Sequence, residues 1–420
     1  MSFTYLYDTI IIGSGISGLY YCYKNHHNLG KFTILEKNNY IGGRIKTDEF
    51  YGHTLSCGAG VGRFNKDKLL KQLLQELDIP IEKKISKYYN QDKTFVLNIL
   101  QNIKLYIEEN NVTNISFKKV LYTLYDSKTC IKFIHEMGIS DYLNEDVRET
   151  IYHYGMKDNI NKINIFYVPW KLLIDKLVKT IKEKTKSNSN TFLLNYKVLD
   201  VYEQLVEYNN NDINKLIKIH TNNNDINKLI KIHTNKKDFI CKKIIFATDI
   251  NLIHKISLFK LNKLYKFYSF ISCQTFCRIY IKFDNNTNIE LKNYIPDGVL
   301  VTLNEFQKII PISKEDGIYM IAYSDNFYAN KVDKYNISEL STIIKKYFKL
   351  DFNVNIIGMK KYFWKCGTHY FKPYPWELQI WKKIIKQLQN PLENVFVIGE
   401  LLSFNQGWVE GGLESVESIL

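Results

Sequence analysis

The chain of 420 residues is 45% hydrophobic, enough for a large buried core, and its length suits two or three domains. It carries 57 Lys and Arg against 43 Asp and Glu, a formal charge of +14, but the lysines are spread throughout, with no Arg-rich arm or RNA-recognition signature, so no nucleic-acid partner is expected. No apolar run reaches the roughly 20 residues that span a bilayer, so no membrane anchor is expected either.

The first element is a short apolar strand, Ile10 to Ile12. It runs into Gly13-Ser14-Gly15-Ile16-Ser17-Gly18 and then a helical segment. This is a GxGxxG turn between a strand and a helix, the context that gives the motif its meaning. Gly13 permits the tight turn, Gly15 lets the backbone approach a pyrophosphate, and Gly18 lets the helix pack on the strand. The anion is placed at the helix N-terminus, where unpaired N–H groups point at it. A second strand, "KFTILEK", ends in Glu36-Lys37. An acidic side chain there accepts hydrogen bonds from a ribose diol and disfavours a 2′-phosphate, which argues against NADP. Gly42-Gly43-Arg44 follows, with two glycines for close approach and a guanidinium fork for phosphate.

Next come a Gly-rich loop (Gly58, Gly60, Val61, Gly62), Arg63, and an amphipathic helix carrying Leu69, Leu70, Leu73, Leu74 and Leu77. Residues 80 to about 162 read as mostly helical. "YVPWKLLIDKLVKTIKEK" reads as an amphipathic helix, and "TFLLNYKVLDVYEQ" and "DFICKKIIFATD" as strands. Between these strands "NNNDINKLIKIHT" occupies 209–221 and recurs unchanged at 222–234. Two copies are too few for a solenoid. One copy is expected to supply the strand and the other to lengthen a hairpin, leaving His220 and His233 without a role. "SCQTFCRIYIKF" and "GIYMIAYSD" read as strands and "ISELSTIIKKYFKL" as a helix. The chain closes with a strand, Val395 to Ile398, then Gly399-Glu400, a loop with Gly407-Trp408-Val409, and a last helix.

GxGxxG, an acidic strand end and GGR together resemble the FAD-dependent amine oxidases, and the order of elements is similar along nearly the whole chain. The resemblance implies an α/β fold: a Rossmann-type, GR2-like FAD-binding domain built from residues 1–78, 163–258 and 389–420, with an α+β substrate domain inserted as 79–162 and 259–388. It implies FAD held by Gly13, Ser14, Gly15, Ile16, Ser17, Gly18, Glu36, Lys37, Gly43, Arg44, Gly60, Val61, Gly62, Arg63, the backbone of Val198, Gly399, Glu400, Gly407, Trp408 and Val409. Trp408 would lie against the active face of the flavin, with His369 and Tyr370 as the facing wall. Arg278 stands where many relatives have a lysine near flavin N5. Covalent members have a Cys after the glycine of "KCGTHY"; here it is Thr368, so FAD is expected to be non-covalent, with Cys366 as an alternative attachment point.

The implied reaction is hydride transfer from an amine α-carbon to flavin N5, followed by reoxidation by O2 to hydrogen peroxide. The basic charge favours a neutral or carboxylate-bearing substrate, with Arg63 or Arg278 as anchor. A desaturase, an amino-acid oxidase or a flavin-binding protein without turnover are the alternatives. Seven scattered cysteines, none in CxxC or at zinc spacing, read as reduced thiols with no metal site; with no signal peptide at the N-terminus, a cytoplasmic location is expected.

Overall fold

The computed structural model describes residues 6–160, 162–185, 191–205 and 228–420. The strands Phe192–Leu194, Phe32–Glu36, Leu6–Ile12, Phe239–Phe246 and Val395–Val397 run parallel in one sheet. Phe32–Glu36 is buried along its whole length, and so is the second half of Leu6–Ile12. Burial on both faces is the environment of a parallel strand covered by helices. One face is covered by Ile16–Lys24, Trp170–Lys184 and Val409–Glu417, through Leu19, Leu173, Leu177, Leu413 and Val416. The other carries Leu378–Gln389 through Trp381, Ile385 and Leu388. This is a Rossmann-type layer assembled from both ends and the middle of the chain.

The sheet is extended by an antiparallel meander. Val198–Leu205 pairs with Lys228–Thr234, which pairs with Phe239–Phe246. Lys228–Thr234 lies in the second repeat copy, so that copy supplies a strand; the first copy and His220 lie outside the described residues. His233 pairs with Asp238 at 2.7 Å.

A second, mixed sheet is built around Ile271–Phe283, with Ile318–Asp325 and Ile356–Phe371 antiparallel on its two sides. The helix Ile337–Phe348 packs on it through Leu340 and Ile344, and starts with a capping box between Asn336 and Glu339. The helices Lys93–Glu109, Phe117–Leu124, Ser127–Met137 and Val147–Tyr152 form a separate apolar cluster. The expectation of helix from residue 80 onward fails at Glu82–Tyr89, which is a strand. It pairs with Lys162–Tyr167 and Val299–Val301, both distant in sequence, so the partners decide it and not the local pattern.

Candidate functional site

The strand Leu6–Ile12 ends in the glycine turn because Gly13 takes φ +103°; a Cβ there would meet the carbonyl oxygen of Ala247 at 2.2 Å. Gly18 packs the helix onto the turn, where a Cβ would lie 2.3 Å from the Gly13 carbonyl oxygen. At Gly15 an added Cβ meets nothing within 4 Å, so the space above the helix N-terminus is open. Glu36 fixes the turn. Its carboxylate accepts from Ser14 N and Oγ (2.9 and 2.8 Å) and from Asn38 N and Nδ2 (both 2.8 Å). Gly42 and Gly43 lie against this turn: Gly42 N donates to Ser14 O at 3.0 Å, and a Cβ on Gly43 would meet Gly15 Cα at 3.1 Å.

The last helix comes to the same place. Gly412 lies against Ser17, since a Cβ on it would meet Ser17 Oγ at 2.8 Å. The N-termini of Ile16–Lys24 and Val409–Glu417 therefore sit side by side, and Gly15, Ile16, Trp408 and Val409 all line one cavity of about 1600 Å³. Two helix N-termini give that cavity a positive, donor-rich floor suited to a pyrophosphate. Glu410 anchors the arrangement by accepting from Leu69 N and Leu70 N, at 2.8 and 2.9 Å, at the start of Lys68–Glu76.

Beside the floor runs a chain of charges. Arg44 Nη1 donates to Glu400 Oε1 at 2.5 Å and to Gly367 O at 2.8 Å, and Glu400 Oε1 also faces His369 Nδ1 at 2.5 Å. Burial alone would raise the Glu400 pKa, but His369 and Arg44 outweigh it and hold the carboxyl far below the usual carboxylate range.

The far end of the cavity is aromatic: Trp364, Trp408, Tyr323 and Phe276 line it. Arg278 and Lys308 sit over the Tyr323 ring at 4.7 and 5.3 Å. Arg278 Nη1 donates to Ser56 O at 2.7 Å and Lys308 Nζ to Asn159 Oδ1 at 3.0 Å. Burial lowers the Lys308 pKa to about 8 against the pull of Asp325 and Asp141. Volume, open floor and donor set fit a dinucleotide with room for a small molecule beside it.

Residues 11–77 match the family model of the NAD(P)-binding Rossmann-like domain. No curated protein matches the chain. Wild-type putrescine oxidase bound to putrescine superposes with a TM-score of 0.69 at 13% identity, over 99% of this chain and 98% of that one. A single mutant from a redesign of cofactor binding in putrescine oxidase gives 0.69 at 13% identity over 98% and 97%, and a double mutant 0.68 at 13% over the same shares. The chain has the fold of putrescine oxidase. That fold explains why the two ends of the chain meet: its nucleotide layer is completed only by the C-terminal strand and helix.

Within the putrescine oxidase fold, the expected cofactor residues Gly13, Gly15, Ile16, Ser17, Glu36, Lys37, Gly43, Arg44, Gly60, Val61, Val198, Gly399, Glu400, Gly407, Trp408 and Val409 line the cavity, as does Arg278. Ser14, Gly18 and Gly62 stand behind them. Ser14 is turned toward Glu36, and Gly62 is covered by Phe166, whose ring would come within 2.1 Å of a Cβ.

Three expectations are corrected. Arg63 is 2% exposed, paired with Asp67 at 2.7 Å and Asp158 at 3.5 Å. Its guanidinium lies 4.1 Å from the Trp408 ring centre, so it backs the tryptophan and is not a substrate anchor. His369 is buried behind the wall that Trp364, Cys366, Gly367 and Thr368 make, and Tyr370 is not on that wall either. Thr368 and His369 are successive residues of the strand and take opposite faces, and Glu400 holds the His369 ring on the inner side. Lastly, the thiols are not all free: Cys273 and Cys366 form a disulfide, and in this state Cys366 has no thiol to bond a flavin.

Lys308, Asp141 and Tyr154 reach the cavity without any motif to announce them. Tyr154 OH donates to Asp141 Oδ1. Burial first, and Asp325 second, push the Asp141 pKa up. A carboxyl raised in the folded state binds more protons folded than unfolded, so stability falls as pH rises from its unfolded value near 3.9 to its folded one. Asp141→Asn removes that loss. The variant is expected to gain stability relative to the parent at pH 8 and to show no gain at pH 4, read from urea unfolding at both values; an equal effect at both would contradict the raised pKa.

Proposed function

We propose that the chain is an FAD-dependent amine oxidase that binds FAD non-covalently and takes a small amine. The observation that carries this reading is the single cavity joining the glycine floor at Gly15 to the tryptophan wall of Trp364 and Trp408. FAD, when bound, supplies the acceptor for the α-hydride and passes the electrons to O2 as hydrogen peroxide. The floor and Arg44 bind its phosphates, Glu36 its ribose, and Trp408, braced by Arg63, orients the substrate. No side-chain base is needed if the amine arrives deprotonated. The buried wall keeps water from the reacting carbon.

Arg278 and Lys308 on the wall favour a second reading on the same scaffold, an amine that also carries a carboxylate, as in an amino acid. Putrescine, seen in the neighbouring fold, is a diamine. The cavity offers that class Asp141 and Asp158. One experiment separates these. The protein is loaded with FAD and mixed anaerobically with monoamines, polyamines and amino acids, and flavin bleaching is followed at its visible band, with peroxide measured on admitting air. Bleaching by one class with one peroxide per flavin supports the reading. A flavin that no amine or amino acid reduces overturns it and leaves the desaturase or the non-catalytic protein.

A further inference from the structure

Cys273 and Cys366 are 93 residues apart, on neighbouring strands. Their meeting depends on an irregularity in the ladder. Gln274 pairs with Thr368 and Phe276 with Trp364, so the longer strand carries Lys365, Cys366 and Gly367 opposite Thr275 alone. That bulge re-aims Cys366 toward Cys273. It depends on Gly367, because a Cβ there would meet Phe276 Cβ at 2.6 Å. Cys366 lines the cavity, and Cys273 accepts from Asn251 Nδ2, at 3.3 Å, which also lines it. The five remaining cysteines, Cys22, Cys57, Cys130, Cys241 and Cys277, are buried, and burial pushes their thiols up.

A histidine faces the pair. His369 Nε2 lies 3.4 Å from Cys366 Sγ and accepts from the backbone N–H of Ile250 at 3.2 Å. A backbone N–H can only donate, so Nε2 is unprotonated and the ring proton sits on Nδ1, toward Glu400. The order is carboxylate, imidazole, sulfur, with the one Nε2 lone pair shared between the Ile250 N–H and the side that faces the sulfur. A histidine placed so lowers the cost of a thiolate.

We propose that Cys273 and Cys366 are a reversible thiol–disulfide site on the cavity wall, with His369 as its acid–base group and a dithiol as its reductant. The dithiol's thiolate attacks Cys273 Sγ. The sulfur–sulfur bond breaks and its electron pair leaves on Cys366 Sγ, while the proton lost by the attacking thiol goes to the His369 Nε2 lone pair in place of the Ile250 N–H, and the imidazolium holds the Cys366 thiolate. The second thiol of the reductant then displaces Cys273. Two electrons and two protons pass to the pair, and the dithiol becomes a cyclic disulfide. Opening the pair frees the Cys366-Gly367 bulge, whose carbonyl Arg44 holds at 2.8 Å, so the redox state is read at the wall of the cofactor cavity. The site is independent of whether an amine is the substrate.

The test equilibrates the full-length protein with mixtures of reduced and oxidised dithiothreitol, alkylates it without denaturant and locates the labels by mass spectrometry, with bound metal measured in parallel. The expected result is no label at the oxidised end and two labels at the reduced end, on Cys273 and Cys366, reversed on returning to oxidant. In the reduced protein, Cys366 should label at pH 6 about tenfold faster than in His369→Asn. Should that variant not fold, the wild-type rate is expected to level off below pH 7 and not fall tenfold per pH unit. A pair that stays closed until the protein is denatured is a structural bond and overturns the proposal. So does a pair that stays open at the oxidised end, or one zinc per chain protecting both thiols. Equal Cys366 rates in the parent and a folded His369→Asn overturn the role of His369.

Discussion

Gly15→Val is expected to abolish FAD retention while leaving the fold in place. Gly15 is the N-cap of Ile16–Lys24 at φ −70° and ψ 177°, a backbone that valine adopts readily. An added Cβ there meets nothing within 4 Å beyond the adjoining backbone, so the side chain starts into open space. The loss of the glycine as N-cap costs no more than about 1 kcal/mol. The space it fills is the open floor above two helix N-termini. A pyrophosphate pushed off that floor gives up charge-assisted hydrogen bonds worth about 1.5–3 kcal/mol each, so affinity falls by about 100-fold or more. Flavin titration followed by fluorescence measures the first effect, and urea unfolding of the flavin-free protein the second. Gly18→Ala provides the contrast. Its Cβ would sit 2.3 Å from the Gly13 carbonyl oxygen, and the overpacking costs about 1–3 kcal/mol of stability. A Gly15→Val protein that holds FAD as tightly as the parent would mean the floor is not where the phosphates lie.

The second large effect belongs to Glu400→Ala. The Glu400 side chain is 6% exposed and its partner Arg44 is 38% exposed. Removing the carboxylate leaves a guanidinium and an imidazole facing each other without a counter-charge. Breaking a buried pair in this way costs about 3–5 kcal/mol; solvent reaches part of Arg44, so the low end, about 3 kcal/mol, is expected. The pH dependence follows from the depressed Glu400 pKa. A carboxyl lowered in the folded state stabilises fully above its unfolded value near 4.3, and the stabilisation is lost as pH falls toward the folded value. The gap between parent and variant should therefore be constant from pH 6 to 8 and narrow below about pH 4. Unfolding midpoints across that range measure it, and a gap that widens in acid would mean Glu400 is not ionised in the native state.

Several sequence expectations carried through to the folded chain because their physics is local. A strand, a GxGxxG turn and a helix constrain one another within twenty residues, and Gly13 adopts the positive φ that the turn demands. Glu36 stands one strand away from that turn and closes back onto Ser14. The helix read from "ISELSTIIKKYFKL" is present as Ile337–Phe348. Arg63 and His369 were misplaced for a common reason: Arg63 stands two residues after Val61 and His369 next to Thr368, both of the cavity lining, and sequence spacing does not say which side of a strand or turn a side chain takes. Lys308 begins the strand Lys308–Ser313, which carries no motif, and the packing of Tyr88 and Tyr323 around it makes it a buried cation.

By itself, then, the sequence determined the two short-range devices of this protein, the phosphate-binding turn and the glycine-bordered start of the last helix, because both arise from backbone geometry within a few residues. Tertiary structure alone decided that Gly412 lies against Ser17, that Arg44 meets Glu400 across most of the chain, and that a bulge carries Cys366 to Cys273. Those contacts join segments hundreds or scores of residues apart. Their existence rests on how two sheets and their helices pack, an outcome of the summed burial of the whole core that no short stretch encodes.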